Sequence, residues 1–243
     1  MCTNYVPTPK DRLQDWFDVP RPEFDYPEEA YPLYRVPMIC RAGPGATHEG
    51  MAEHRRVCLP ALFGLVPHWS KDTKIGRHTY NARAETVDVK PSYRTPWRAS
   101  RLCLVPMEAF FESSYAGGKP ERWKIALASG APFASAGIWD RWIDPATGLA
   151  VHSFSLLTIN ADAHPVLNRF QPAGDEKRSL VIVRPDDYDA WLDAPPDAAR
   201  EFLGLYPASE LVALAAPRPP RLPRATHEAP SRASQRELGS EGT

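Results

Sequence analysis

Prolines interrupt this chain so often that they limit the elements it can form. The sequence contains 27 prolines among 243 residues, about twice the usual share. Proline lacks a backbone donor and clashes with the preceding turn of a helix, so we expect no long uninterrupted helix. Hydrophobic residues still make up 43% of the chain, and a chain of this length buries about 70% of its unfolded surface. These features predict one folded domain built from short elements.

Short apolar or alternating runs bounded by glycine or proline indicate a mixed, strand-rich fold. Strands are predicted at residues 33–39, 101–105, 123–127, 133–139, 153–159 and 179–183. Helices are predicted at residues 188–192, 197–206 and 209–215, the first beginning after Asp186 or Asp187. A strand–helix–strand alternation with a glycine-rich turn is missing, which disfavours a doubly wound nucleotide-binding fold.

The sequence changes character near its end. Residues 217–243 are rich in proline, arginine and serine, with isolated leucines. Such a segment cannot bury enough apolar surface to offset the entropy of ordering. We therefore predict a folded domain over residues 1–216 and a disordered tail over residues 217–243.

The cellular setting is predicted from what the sequence lacks. No run approaches the ~18 apolar residues of a membrane span, and the start does not resemble a secretory signal. The four cysteines form no CxxC pair, which argues against a zinc ribbon and a disulfide scaffold. We expect a cytoplasmic protein, a monomer by default, without membrane partner, metal or other cofactor.

The net charge of −1 hides an uneven distribution. Residues 1–30 contain seven acidic and three basic residues, whereas residues 68–103 contain eight basic and three acidic ones. Aromatic residues interleave with the basic ones, as in single-strand binding grooves where cations follow phosphates and rings stack on bases. The alternative is a solvated loop region whose charges pair with the acidic start. The candidates for phosphate binding include His68, Lys71, Arg77 and Arg94.

Cys2 is the first candidate for chemistry. Removal of Met1 would leave a cysteine with a free α-amine, which titrates near ~8, and a thiol, which titrates near ~8.5. Such an aminothiol condenses with an aldehyde to an imine, which the thiol closes into a thiazolidine. It could also serve as a nucleophile in acyl transfer. The alternative is an incidental cysteine beside the start codon.

Three further segments carry groups that could assist this nucleophile. In NARAE, Asn81, Arg83 and Glu85 alternate and would share one face of a strand, as a phosphate and oxyanion site or as a plain polar face. Glu112 follows two aromatic residues, and desolvation there would raise its pKa toward that of a proton shuttle. His164 is a candidate because histidine side chains in general can move a proton at an imine near neutral pH.

Taken together, these segments resemble the SOS response-associated peptidase family, whose members crosslink to abasic sites in single-stranded DNA. The matching stretches are MC at the start, FGLVPHWSKD, YNARAETV, RLCLVPMEAFFE and LTINADAHPVLNRF, in the order of the family. The resemblance implies a single α+β domain around a bent, barrel-like, mostly antiparallel sheet with peripheral helices.

The resemblance also implies a role for each matching residue. Cys2 would be the nucleophile and Asn81 would position the amino-terminal residue or the opened sugar. Glu112 would orient or deprotonate the α-amine, and His164 would act as an acid–base catalyst. Arg83 would hold the phosphate beside the lesion. Trp69 would support the DNA-binding surface.

Three segments depart from the family pattern. The start reads MCTN where MCGR is common, and AFFESS replaces GFYEW. The histidine segment reads AHPVLNRFQP where the family has roughly IHDRMP, so His164 is shifted relative to Arg169.

Three functions share these residues. The first is covalent capture of abasic sites in single-stranded DNA through Cys2. The second is an autoproteolytic cysteine peptidase with an amino-terminal nucleophile, and the third is a nucleic-acid binding module without catalysis.

Overall fold

The computed structural model describes residues 2–42 and 55–218. Its eleven strands are β1 Tyr5–Pro7, β2 Arg35–Arg41, β3 Arg56–Phe63, β4 Asn81–Arg83, β5 Leu102–Ser114, β6 Glu121–Leu127, β7 Phe133–Ile143, β8 Ala150–Asn160, β9 Arg178–Leu180, β10 Ile182–Val183 and β11 Leu211–Ala215. Its α-helices are α1 Lys10–Phe17, α2 Arg94–Arg98, α3 Tyr188–Asp193 and α4 Pro196–Ala199. The predicted tail falls outside the described residues from position 219 onward.

Five strands close a barrel. The pairing runs from β7 through β8, β3 and β2 to β5, and β5 pairs back onto β7. All of these pairs are antiparallel except β3 with β8. The α+β fold with a bent, barrel-like, mostly antiparallel sheet is therefore confirmed, and the longest of the four α-helices has eight residues.

Strand β5 changes partner along its 13 residues. Its first half pairs with β7 inside the barrel, and its second half leaves β7 to pair with β6. The short β1 pairs with the middle of β5. The start of the chain is thereby fixed next to the second half of β5.

The alternation of side chains gives the sheet two buried faces. One core cluster contains Met38, Phe63 and Leu156, together with Cys2. The second contains neighbours such as Ile39 and also residues of α1 and α3, so it lies on the outer face beneath the helices. The first cluster therefore fills the inside of the barrel, and Cys2 belongs to that cluster.

All six predicted strands occur, with shifted ends. The helix predicted at residues 188–192 is α3, and residues 197–206 form α4 and a 3-10 turn, Arg200–Phe202, over their first half. The helix predicted at residues 209–215 is wrong, because Leu211–Ala215 forms β11. Every residue of β11 pairs with β6, from Leu211 opposite Leu127 to Ala215 opposite Trp123. The open edge of β6 decides the conformation there, since tertiary pairing overrides local propensity.

Within the described residues, no helix is both long and apolar enough to cross a membrane.

Candidate active site

Strand pairing buries the first residues of the chain beside β5. The backbone N–H of Phe111 donates to the carbonyl of Asn4 at 3.1 Å, which extends the β1–β5 ladder. Cys2 is 1% exposed, and its thiol donates to the same carbonyl, with Sγ and O 3.3 Å apart. The structure thus holds the side chain of Cys2, the nucleophile predicted from the sequence, in the core.

Asn81 holds the backbone of Cys2 through a side-chain hydrogen bond. It begins β4, which runs parallel to β8 with Asn81 opposite Leu156. Its Nδ2 donates to the Cys2 carbonyl at 2.8 Å, and its own carbonyl accepts from the Tyr93 hydroxyl at 3.0 Å. Its Oδ1 is buried, and no described residue donates a hydrogen bond to that atom. An acceptor of this kind beside Cys2 is suited to an amine or a sugar hydroxyl.

Glu112 lies in the second half of β5, opposite Trp123 of β6. Its side chain is buried, 7% exposed, and burial raises the pKa of the carboxyl group. It lies at one wall of a cleft of about 760 Å³, whose other lining residues include Thr3, Asn4, Arg122, Gln171 and Arg218. The strand that pairs with the start of the chain thus also supplies an acid to the cleft.

Burial and charge keep the Cys2 thiol protonated. Burial raises the pKa of Cys2, and the negative charge of Glu112 raises it further. Because the thiolate is the nucleophilic form, attack by this sulfur requires a base within reach. Glu112 interacts electrostatically with the thiol, and its raised pKa suits a group that accepts and then releases a proton.

Tyr80 is a neighbour of this pair that sequence reasoning treated only as an aromatic of the basic segment. Burial raises the pKa of its hydroxyl, and so do the charges of Cys2 and Glu112. Its ring packs edge-on against Phe63, with centroids 5.7 Å apart. Its position directly before NARAE in the sequence is the feature that could have identified Tyr80 as a neighbour of the site.

His164 is bound to backbone groups. Its Nδ1 accepts from the N–H groups of Val166 and Leu167 at 3.1 and 3.0 Å, and its Nε2 lies 2.9 Å from the carbonyl of Tyr206. Because a carbonyl only accepts, this set assigns the proton to Nε2. The ring is buried and ties the turn after β8 to the segment before β11. Its acid–base role stays a prediction.

Arg83 ends β4 and pairs with Glu176, with Nη1 and Oε2 2.8 Å apart. Glu85 does not continue the strand, because a 3-10 turn spans Ala84–Thr86. Its carboxylate instead accepts two bonds of 2.8 Å from the guanidinium of Arg178. Asn81 and Arg83 therefore both lie on β4, whereas Glu85 forms an ion pair with Arg178.

The other residues predicted to contact DNA lie on the surface. His68, Trp69, Lys71, Arg77 and Arg94 are all exposed or partly exposed, and Trp69 is 51% exposed. They are distributed over the loop after β3, the 3-10 turn Thr73–Arg77 and α2.

The acidic start does not neutralise this basic surface. In the described parts of the chain, no ion pair joins residues 2–30 to residues 68–103, and Lys71, Arg77 and Arg94 form none. Within the acidic start, Asp25 pairs with Lys10 and Glu29 pairs with Arg122. The surface cations are therefore available to a polyanion.

The four cysteines are free and buried. Over residues 2–42 and 55–218, no group of three histidine, cysteine, aspartate or glutamate side chains could hold a metal ion.

Comparison with known proteins identifies the family to which this chain is similar. A family model described as SOS response associated peptidase (SRAP) matches residues 1–217. The abasic site processing protein YoaM of Bacillus subtilis is 32% identical over 155 residues, which cover 62% of this chain and 64% of that protein. The abasic site processing protein HMCES of Gallus gallus is 25% identical over 180 residues, covering 65% of this chain and 52% of that protein. The matches thus span less than two thirds of these curated relatives.

Two crystal structures are similar over most of the chain. A protein from Bordetella bronchiseptica is 31% identical, with a TM-score of 0.80, and the match covers 88% of this chain and 99% of that one. A protein from Bacteroides thetaiotaomicron shares the fold at 21% identity, with a TM-score of 0.73 and coverage of 88% and 91%. Since the family model spans almost the whole described region, this chain belongs to the SOS response associated peptidase (SRAP) family.

Proposed function

We propose that this protein binds single-stranded DNA and traps abasic sites covalently through Cys2, once Met1 has been removed. One observation supports this most: the backbone of Cys2 is held by Asn81 while the acid Glu112 lies within electrostatic reach of its thiol. The names of the curated relatives, abasic site processing proteins, supply the substrate class.

The chemistry needs an amine and a thiol on one residue. The α-amine of Cys2 attacks the aldehyde carbon of the ring-opened sugar, and loss of water leaves an imine. The sulfur then adds to the same carbon, its proton passes to the nitrogen, and a five-membered thiazolidine closes. Each step balances without an oxidant or a metal.

Glu112 is assigned the transfer of the proton. The thiol must lose its proton as the sulfur–carbon bond forms, and the imine nitrogen must gain one. A buried carboxylate with a raised pKa can accept the first proton and deliver the second. Asn81 fixes the Cys2 carbonyl and directs its Oδ1 toward the amine or a sugar hydroxyl.

The basic surface is assigned the DNA strand. Arg83 lies two residues after Asn81 on β4, so a phosphate bound there would flank the lesion, in place of Glu176. Trp69 offers a ring for base stacking, and the surface residues His68, Lys71, Arg77 and Arg94 would follow the backbone.

The proposal is tested with a single-stranded oligonucleotide that contains one abasic site. Wild-type protein is expected to form a heat-stable species, with intact mass equal to protein without Met1 plus DNA minus water. Cys2→Ala is expected to form none while binding lesion-free DNA normally. A chain with alanine inserted after Met1 is the matched control, because it keeps the thiol but blocks the amine. Equal crosslinking by all three proteins would overturn the proposal.

Acyl transfer by the same residues is the second candidate, and the family description as peptidases favours it. It predicts that Glu112→Gln retains Met1 in a host without methionine aminopeptidase activity, while the wild type loses it. Intact mass distinguishes these outcomes.

A further inference from the structure

Gln171 adjoins the proposed proton carrier through backbone pairing. The segment after the 3-10 turn Leu167–Arg169 runs along the second half of β5, where Phe170 bridges Ser114. The backbone N–H of Gln171 donates to the carbonyl of Ser113 at 2.7 Å. This pairing places Gln171 opposite Ser113, the residue that follows Glu112 on β5, and Gln171 and Glu112 line the same cleft.

The side-chain amide of Gln171 is held in one orientation. Its Oε1 accepts from the backbone N–H of Arg178 at 3.0 Å, and its Nε2 donates to the carbonyl of Arg178 at 2.9 Å. If the amide were flipped, its NH₂ would face the N–H of Arg178 and its oxygen would face the carbonyl of Arg178. These two hydrogen bonds therefore determine which side-chain atom is the nitrogen. The second N–H of Nε2 is left to donate to the Glu112 carboxylate, with which Gln171 forms a hydrogen bond.

Arg178, the residue that holds this amide, is itself immobilised. Its side chain is 2% exposed. Its guanidinium donates to Glu85 at 2.8 Å, to Glu176 at 2.7 Å and to the Thr158 carbonyl at 2.5 Å. The amide of Gln171 is therefore attached to a rigid part of the sheet.

The backbone of Gln171 is strained. Its φ is +69°, a left-handed conformation that is unfavourable for a residue with a side chain. Residues persist in such conformations where their surroundings impose them, and these positions cluster at functional sites. Glycine would adopt this φ without strain, so the fold alone does not require glutamine here.

We propose that Gln171 is a positioning residue for Glu112: the side-chain amide of Gln171 orients the Glu112 carboxylate toward Cys2. The same hydrogen bond favours the ionised carboxylate. The inference rests on the proposed function, in which Glu112 moves the proton. It assigns a role to a residue to which the family resemblance assigned none.

The test compares Gln171→Gly and Gln171→Glu with the wild type. Gln171→Gly removes the amide and relieves the backbone strain, but it also takes the hydrogen-bond partner from the buried N–H and C=O of Arg178, so urea unfolding of each variant is measured beside its rate and rates are compared where all are folded. Gln171→Glu keeps the shape but replaces the donor beside Glu112 with an acid. At saturating DNA near neutral pH, we expect crosslinking to slow about tenfold in Gln171→Gly, the equivalent of one hydrogen bond to a charged group, and further in Gln171→Glu. The acid limb of the pH–rate profile is expected to move to higher pH in both.

The control is Lys177→Gln. Lys177 Nζ donates to the carbonyls of Gln171 and Pro172 at 3.1 and 2.5 Å, so this variant loosens the segment without touching the amide. We expect its pH–rate profile to match the wild type.

A direct titration separates failure of this inference from failure of the proposed function. Carbon-13 NMR of the free protein follows the Glu112 carboxyl, identified by its loss in Glu112→Gln. A higher Glu112 pKa in Gln171→Gly supports the inference even if the wild type forms no crosslink. An unchanged titration and an unchanged pH–rate profile would overturn it, while a wild-type crosslink that Cys2→Ala loses would leave the proposed function standing.

Discussion

The residues proposed for chemistry and those proposed for DNA binding lie in opposite environments. Cys2 and Glu112 are buried, and each has the pKa shift that desolvation imposes. Trp69, Arg77 and Arg94 are exposed, and neither arginine forms an ion pair in the described chain. Burial gives one region defined geometry at a cost in desolvation, whereas exposure gives the other long-range attraction at little cost to the fold. Substitutions in the two regions are therefore expected to change different measurements.

The largest effect is expected from Glu112→Gln. Loss of the proton carrier is expected to lower the crosslinking rate at saturating DNA by about 10²- to 10⁴-fold, with affinity for lesion-free DNA unchanged. Glu121→Gln is the matched control, because Glu121 is an exposed carboxylate lining the same cleft. A single-turnover time course measures both. An unchanged rate in Glu112→Gln would remove Glu112 from the mechanism.

His164→Phe is expected to act on stability first. It leaves the buried N–H groups of Val166 and Leu167 and the carbonyl of Tyr206 without their partner, which costs about 2 kcal/mol or more. Urea unfolding measures this loss, with His78→Phe as an exposed control. Well below its melting temperature, the variant is expected to crosslink at nearly the wild-type rate. A folded variant slowed about 100-fold would instead establish the acid–base role predicted from the family resemblance.

Asn81→Ala is expected to slow crosslinking about tenfold, because it removes one hydrogen bond that positions Cys2. Asn81→Asp tests the donor itself, since it keeps the shape but turns a carboxylate oxygen toward the Cys2 carbonyl. We expect it to be at least as slow as the alanine variant. Full activity in Asn81→Asp would show that Nδ2 does not hold Cys2.

Arginine substitutions on the surface are expected to change affinity and to leave the saturated rate intact. Removing one cation that binds a phosphate of single-stranded DNA makes the slope of log affinity against log salt shallower by about 0.7. We expect this change in Arg83→Ala, Arg77→Ala and Arg94→Ala. Arg21→Ala, in the acidic start, removes the same charge as a control. Fluorescence anisotropy at several salt concentrations measures it, and four equal slopes would place the DNA elsewhere.

The smallest expected effect is on the way the stability of the folded protein depends on pH. Burial raises the folded-state pKa of Glu112, so the folded protein binds this proton more tightly than the unfolded chain. The stability linked to Glu112 is therefore greatest below its unfolded pKa and falls as the pH rises toward the folded value. Glu112→Gln lacks this fall, so the melting temperature of the wild type relative to the variant is expected to drop as the pH rises above about 4, the ordinary glutamate pKa. A constant difference would contradict the raised pKa.

The two regions also differ in what their sequence revealed. The barrel strands follow from short apolar runs bounded by glycine or proline, because a strand with both faces buried is apolar along most of its length. A helix was wrongly predicted where β11 forms, because LVALA is compatible with a helix or a strand. The open edge of β6 decided its conformation. The helix α1, Lys10–Phe17, is short and was not predicted.

Within the site, Cys2, Asn81 and Glu112 were identified because each lies in a motif of the family. Gln171 and Arg178 were not, since their roles depend on pairings across the sheet, such as that between Glu85 and Arg178, 93 residues apart. The strained φ of Gln171 likewise has no signal in its neighbours along the chain. Local pattern thus indicated the groups proposed to react, and only the fold revealed the residues that contact them.

The central claim is that both the amine and the thiol of Cys2 bond to one sugar carbon. The most direct test labels C1′ of the abasic site with carbon-13 and records NMR spectra of the purified crosslink. A thiazolidine gives a saturated carbon bonded to both nitrogen and sulfur, which borohydride leaves unchanged. An unsaturated imine carbon that borohydride reduces, or a carbon bonded to nitrogen alone, would contradict it.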